Sequence, residues 1–162
     1  MGVDRIIETS RVAKMSLYRH FNSKDELVLA FLQERERRWT KDWLHAEVSL
    51  RAEDGAGRLL AIFDVFDEWF RQDDFEGCSF INVLLEFDRL DHPIRLASVA
   101  HLATIRSLVR EFAEDAGVDD PDDVTRQWHI LMKGSIVAAG EGDREAAQRA
   151  RRLGELLLAA RV

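Results

Sequence analysis

The stretch Lys14–Leu27 reads KMSLYRHFNSKDEL, and its reading decides the fold of the whole chain. Leu17 and Phe21 stand four apart and continue an apolar face opened by Val12, the spacing of one side of a short helix. Ser23 then occupies an N-cap position, and Glu26 completes an S-x-x-E capping box, so a long helix begins at Lys24. Upstream, Val3–Thr9 predicts another short helix and Arg11–Ala13 a turn. Short helix, tight turn, short helix (Lys14–Phe21) and capped long helix form the pattern of a helix-turn-helix, whose second helix lies in a major groove.

With Leu17 and Phe21 turned inward, Lys14, Met15, Ser16, Tyr18, Arg19 and His20 point outward, and with Lys24 they form the candidate DNA-binding set. Lys14 and Ser16, near the helix start, are placed for base edges, while Tyr18, His20 and Lys24 are placed to donate to phosphates. The free amides at the start of the long helix, next to Lys24, offer a second anion site. An ordinary surface helix with a few cations would carry the same residue types. Charge supports the first reading, since the chain is −7 overall but Arg5, Arg11, Lys14, Arg19 and Lys24 against Asp4 and Glu8 make its start +3. A basic end on an acidic body suits a polyanion partner for that end alone.

The rest is an all-α pattern. The 162 residues can form one domain or a small domain joined to a larger one, 46% hydrophobic and 33% charged. No apolar run approaches the roughly 20 residues of a membrane span, and Met1–Leu17 lacks a signal peptide's apolar core, so a cytoplasmic chain with no membrane partner is expected. The long helix runs from Lys24 to about Val48, with Trp39 and Trp43 anchoring it to the body. After the loop Arg51–Gly57, helices are predicted over Arg58–Arg71, Phe80–Phe87, Pro93–Ala116, Pro121–Ala139 and Asp143–Arg161.

GVDRIIETSRVAKMSLYRHFNSKDELVLAFL closely resembles the DNA-binding end of TetR-family transcriptional regulators, whose signature is roughly I-A-x-x-A-G-V-S-x-x-T-L-Y-x-H-F-x-S-K-E-x-L. The matching positions are Ile6, Val12, Leu17, Tyr18, His20, Phe21, Ser23, Lys24 and Leu27, with conservative replacements at Ala13, Ser16 and Asp25. The resemblance implies an all-helical homodimer that binds a double-stranded DNA operator through its N-terminal helices and a small-molecule effector in its body. Residues 1–27 would then be a partial helix-turn-helix domain and 28–162 the helical ligand-binding and dimerisation domain. Two departures stand out. Arg11 occupies the place of the turn glycine, which costs energy if the turn needs a positive φ. Family members also carry a helix and a short arm ahead of the residues that begin here, so the sequence is expected to start inside the domain, with part of the cover over Ile6, Val12, Leu17 and Phe21 missing.

The last two helices are expected to form the dimer contact, at Leu131, Gly134, Ser135, Ala138, Ala146, Ala150, Leu153 and Leu157, a mix of small and large residues that lets two such pairs pack as a four-helix bundle, the lesser alternative being that the stripe faces only the subunit's own core. An effector pocket would be lined by Trp69, Phe70, Phe80, Phe87, His101, Trp128 and Met132, all of which are also good core residues. Catalysis is not expected. Cys78 is the only cysteine, the five histidines show no HxH or HExxH spacing, and no glycine-rich phosphate loop exists, so neither a cofactor nor a metal site is predicted. The functional expectation is a ligand-responsive repressor. The competing one, motivated by the missing first helix, is a DNA-independent helical dimer that binds a small molecule or titrates full-length regulators.

Overall fold

The computed structural model describes residues 3–160, and every regular element among them is helical. Helices α1 (Val3–Ser10) and α2 (Lys14–His20) enclose the predicted turn. Arg11 in that turn has φ 55, the left-handed conformation anticipated from the missing glycine. A side chain there costs on the order of 1 kcal/mol.

The Ser23 hydroxyl accepts the Glu26 N–H at 3.1 Å and starts α3 (Lys24–Arg35). The return half of the capping box differs from expectation: the Glu26 carboxylate closes on Asn22, accepting from its backbone N–H at 2.7 Å and its side-chain amide at 3.0 Å. One oxygen thereby satisfies two donors.

The chain continues helically without a break to Arg51, but not as one α-helix. Between α3 and α4 (His45–Arg51) lies a π-helical segment, Glu36–Leu44, ending on an i→i−5 bond from the His45 N–H to the Thr40 carbonyl. A stripe explains it. Leu32, Glu36, Thr40, Leu44 and Val48 recur every four residues; Leu32, Leu44 and Val48 are fully buried, Thr40 is 2% exposed and the Glu36 side chain 13%. In a pure α-helix each four-residue step overshoots a turn by about 40°, so four steps would carry Val48 about 160° away from Leu32. Wider i→i+5 turns reverse that drift and keep the stripe on the body.

Helix α5 (Gly55–Phe70) starts three residues before the predicted Arg58, because Asp54 caps it by accepting the Gly57 N–H at 2.8 Å. Gly55 belongs to a helix contact rather than a loop: a Cβ there would lie 2.3 Å from the Ala116 nitrogen. Four more helices follow: α6 (Ser79–Glu86), α7 (Pro93–Asp115), α8 (Pro121–Gly140) and α9 (Ala146–Ala159). The last begins later than the predicted Asp143, which stays in the turn holding the Glu145 N–H and the Arg149 guanidinium; the predicted end at Arg161 lies outside the described residues.

Helix α5 is the centre of the body, packed by α4, α7 and α9, with α8 laid on α7 and α9. Phe63, Phe66, Phe112 and Trp128 are fully buried there. Each such side chain contributes roughly 1.5–3 kcal/mol on leaving water. Gly154 lets α9 approach, since a Cβ at that position would lie 2.6 Å from the Trp128 ring.

Candidate functional site

No residue of α2 is buried. Lys14, Met15, Tyr18, Arg19 and His20 are exposed, as is Lys24 at the start of α3, while Ser16, Leu17 and Phe21 are half-buried and Val12 is open to solvent. The side chain of Ile6 lies outside the described residues. All seven sequence-predicted DNA-binding residues thus fall on one short helix and the start of the next, and Tyr18 and Lys24 border the same small crevice over Leu17 and Phe21. Arg19, His20 and Lys24 meet no carboxylate among the described residues, so the charges of Arg19 and Lys24 and the ring N–H of His20 are available to an external anion.

The body grips this end through α7, which runs beside α3. His92 Nε2 lies 3.8 Å from the Asp25 carboxylate one residue beyond Lys24, and His101 Nδ1 bonds the Glu36 carboxylate at the start of the π segment. The His101 ring packs on Phe80, with centroids 5.1 Å apart.

Between the long helix, the end of α5 and the loop into α6 lies a cleft of about 620 Å³, lined by Phe31, Arg35, Arg38, Trp39, Trp43, Trp69, Gln72, Asp74, Glu76, Gly77, Ser79 and Asn82. Of the seven predicted ligand residues, Trp69 lines it. Phe70 packs behind against Trp69 and Phe75, Phe80 is buried in a small adjoining void, and Phe87 stacks on His92. His101 is engaged by Glu36, and Trp128 and Met132 are core. The π segment contributes Trp39 and Trp43 to a lining that is otherwise largely polar, with Trp39 5.4 Å from Trp43 and 5.1 Å from Trp69. They anchor the long helix as expected and line the cleft as well. The missed signal was this tryptophan pair directly after Arg35 and Arg38 on the connecting helix.

Electrostatics separate the arginines beside the cleft. Arg37 and Arg38 both bond Glu34, and their hydrogen bonds hold its carboxyl down to about 2. Arg35 is half-buried and meets no acceptor among the described residues. Cys78 is buried, which pushes its thiol up and keeps it protonated. Burial, with the like charges of Lys133 and Arg106, pushes His129 down to about 3. Among the described residues no three His, Cys, Asp or Glu side chains group as a metal would require, and no helix is long and apolar enough to cross a membrane.

Of the predicted dimer residues, Ser135, Ala146 and Ala150 are buried within the subunit, and Leu131, Ala138 and Leu157 are half-buried. Gly134 and Leu153 face outward, joined by Ile130 (68% exposed), Val137 and Leu156 (68%). The outward apolar stripe is therefore rotated from the predicted one, because the small residues of α9 are used against Trp128 and α8.

Residues 55–153 match the family described as "Tetracyclin repressor-like, C-terminal domain", and residues 1–31 match "Bacterial regulatory proteins, tetR family". The chain belongs to the TetR family. It is thus a DNA-binding transcriptional regulator by fold and family, with the helix-turn-helix at the matched N-terminal end. Solved structures agree. A TetR-family transcriptional regulator from Streptomyces coelicolor superposes with a TM-score of 0.85 at 28% identity, covering 98% of this chain and 78% of its own. A TetR transcriptional regulator from Streptomyces avermitilis gives 0.77 at 25% identity, covering 96% and 87%. Reduced NemR from E. coli shares the fold, with a TM-score of 0.80 at 19% identity over 95% of this chain and 84% of its own. No curated protein matches the sequence.

Proposed function

We propose that this TetR-family regulator is a homodimeric repressor released from its operator by a small molecule bound in the cleft beside the long helix. The observation that carries the reading is shared structure: the wall formed by Phe31, Arg35, Trp39 and Trp43 is the same continuous helix that begins at Lys24 next to α2. A ligand favouring one setting of that wall shifts the DNA-reading end with it. Differential affinity of about 1–3 kcal/mol changes operator affinity roughly 5- to 150-fold. Asp25–His92 and Glu36–His101 are the contacts through which α7 and the rest of the body would follow.

The homodimer rests on Ile130, Gly134 and Val137 of α8 and Leu153 and Leu156 of α9, which form an outward apolar face, each of its large side chains more than half exposed. Among the described residues, apart from its own helix backbone and chain neighbours, nothing lies within 4 Å of a Cβ placed at Gly134, so a partner helix can approach closely there. A two-fold pair would present its recognition helices about 34–36 Å apart.

Fluorescence anisotropy of full-length protein on the DNA upstream of its own gene tests the reading. Salt-sensitive binding is expected, with Tyr18→Ala weakening it and Lys24→Ala reducing the salt slope by about 1. Salt-insensitive or absent binding, or unchanged binding by both variants, would sink it. Val137→Glu should give a monomer in analytical ultracentrifugation; an intact dimer would place the interface elsewhere.

A further inference from the structure

The geometry points to the chemical class of the molecule that the cleft takes: a planar aromatic monocarboxylate, its ring on the tryptophans and its carboxylate on Arg35. This rests on the reading of the cleft as the effector site. Trp39, Trp43 and Trp69, with neighbouring centroids 5.1 and 5.4 Å apart and planes tilted by 59° and 48°, put polarisable aromatic rings beside Phe31 in an otherwise polar lining. Those rings favour an aromatic ring on the ligand, and about 620 Å³ lies within the roughly 300–1,000 Å³ range of small-molecule sites.

The charge comes from Arg35. Its neighbours on the helix are neutralised, Arg37 by Glu34 and Asp42 and Arg38 by Glu34. Arg35 lines both the cleft and the void against Phe80 and Cys78, half-buried and without an acceptor among the described residues. A guanidinium removed from water without a partner is costly, and a carboxylate answers it with two parallel charge-assisted bonds. The same cleft holds Trp39, whose indole N–H is also buried without an acceptor. Asp74 and Glu76 stand exposed among the lining residues. They disfavour a second anionic group, which selects a single carboxylate over a dicarboxylate or a phosphate ester.

Isothermal titration calorimetry without DNA tests this with three probes of one ring system: 2-naphthoate, 2-naphthamide and the cation 2-naphthylmethylammonium. Naphthoate should bind at least about tenfold more tightly than the amide, the order expected of one charge-assisted pair, with the ammonium weakest. Arg35→Gln should bring the naphthoate-to-amide ratio to about one while leaving the amide's affinity in place, and Arg35→Lys should keep part of the preference. The amide's affinity serves as the check that the variant is folded. Equal binding of naphthoate and amide, preference for the ammonium, an unchanged ratio in Arg35→Gln, or no heat from any probe at millimolar concentration would overturn the assignment. Arg35-dependent naphthoate binding that leaves operator affinity unaltered would refute the release mechanism and leave the assignment standing, so the two failures are separable.

Discussion

The DNA-reading end and the body share one helix yet are built under opposite conditions. Helix α2 buries none of its residues, whereas α5 buries eight of sixteen. At the first, residue types are chosen for what they present outward, namely cations, hydroxyls and Tyr18 around a thin apolar footing of Leu17 and Phe21. At the second they are chosen for volume and approach, with Gly154 beneath Trp128 and Gly55 against Ala116. Changes in the body should therefore cost stability, and changes around α2 should cost little beyond local helix setting.

The sharpest contrast is Trp128→Ala. Emptying a site that is fully buried should lower unfolding free energy by about 3–5 kcal/mol in urea titrations, while Tyr18→Ala leaves the midpoint nearly unchanged. Equal losses would dissolve the distinction. Second comes a pH dependence lodged wholly in the body. His129 is pushed down from 6.5 to about 3, so between those values the unfolded chain holds the extra proton and stability falls as pH is lowered. The slope is at most about 1.4 kcal/mol per pH unit, and His129→Gln should flatten it in melts at pH 7, 6 and 5.

At the junction, Ser23→Ala removes the acceptor for the Glu26 N–H and should cost about 1 kcal/mol. Hydrogen exchange should place that loss in the first turn of α3, with α5 protected as before. The smallest effect belongs to Arg11→Gly. Relief of the positive φ, partly offset by the freer unfolded chain, should raise stability by less than about 1 kcal/mol in the same urea titrations. A loss of stability would show that the Arg11 side chain does more than tolerate its turn.

The same division governed what could be read from the residues. The all-α fold, the order of the helices and the family followed from period and from the short motif around Tyr18 and Ser23, because both are local properties. The cleft was not local. Its walls come from Phe31–Trp43, Trp69–Gln72 and Asp74–Asn82, brought together only by packing, and single-residue hydrophobicity cannot separate Trp69, which lines it, from Trp128, which fills the core. Gly55 was misread for a related reason. A glycine in Arg51–Gly57 signals a loop unless the neighbouring helix is known to press on it. The stripe on α9 was legible only in part: Leu153 faces outward as expected, but alanine fits either face, and Ala146 and Ala150 are buried within the subunit while Leu156 joins Leu153 outside. The four-residue recurrence from Leu32 to Val48 was visible, but its meaning depends on knowing that all five positions touch the body.

That recurrence makes the orientation of α2 a question of phase. Nine residues bonded in wider turns set the azimuth of the helix upstream of them, so the direction in which Lys14–His20 faces relative to the body depends on hydrogen bonds made at Glu36–Leu44. One residue of α-helix is about 100° of rotation. Removing a residue from the wide turns would swing Lys14–His20 round the helix axis by about that angle without changing a single side chain on it.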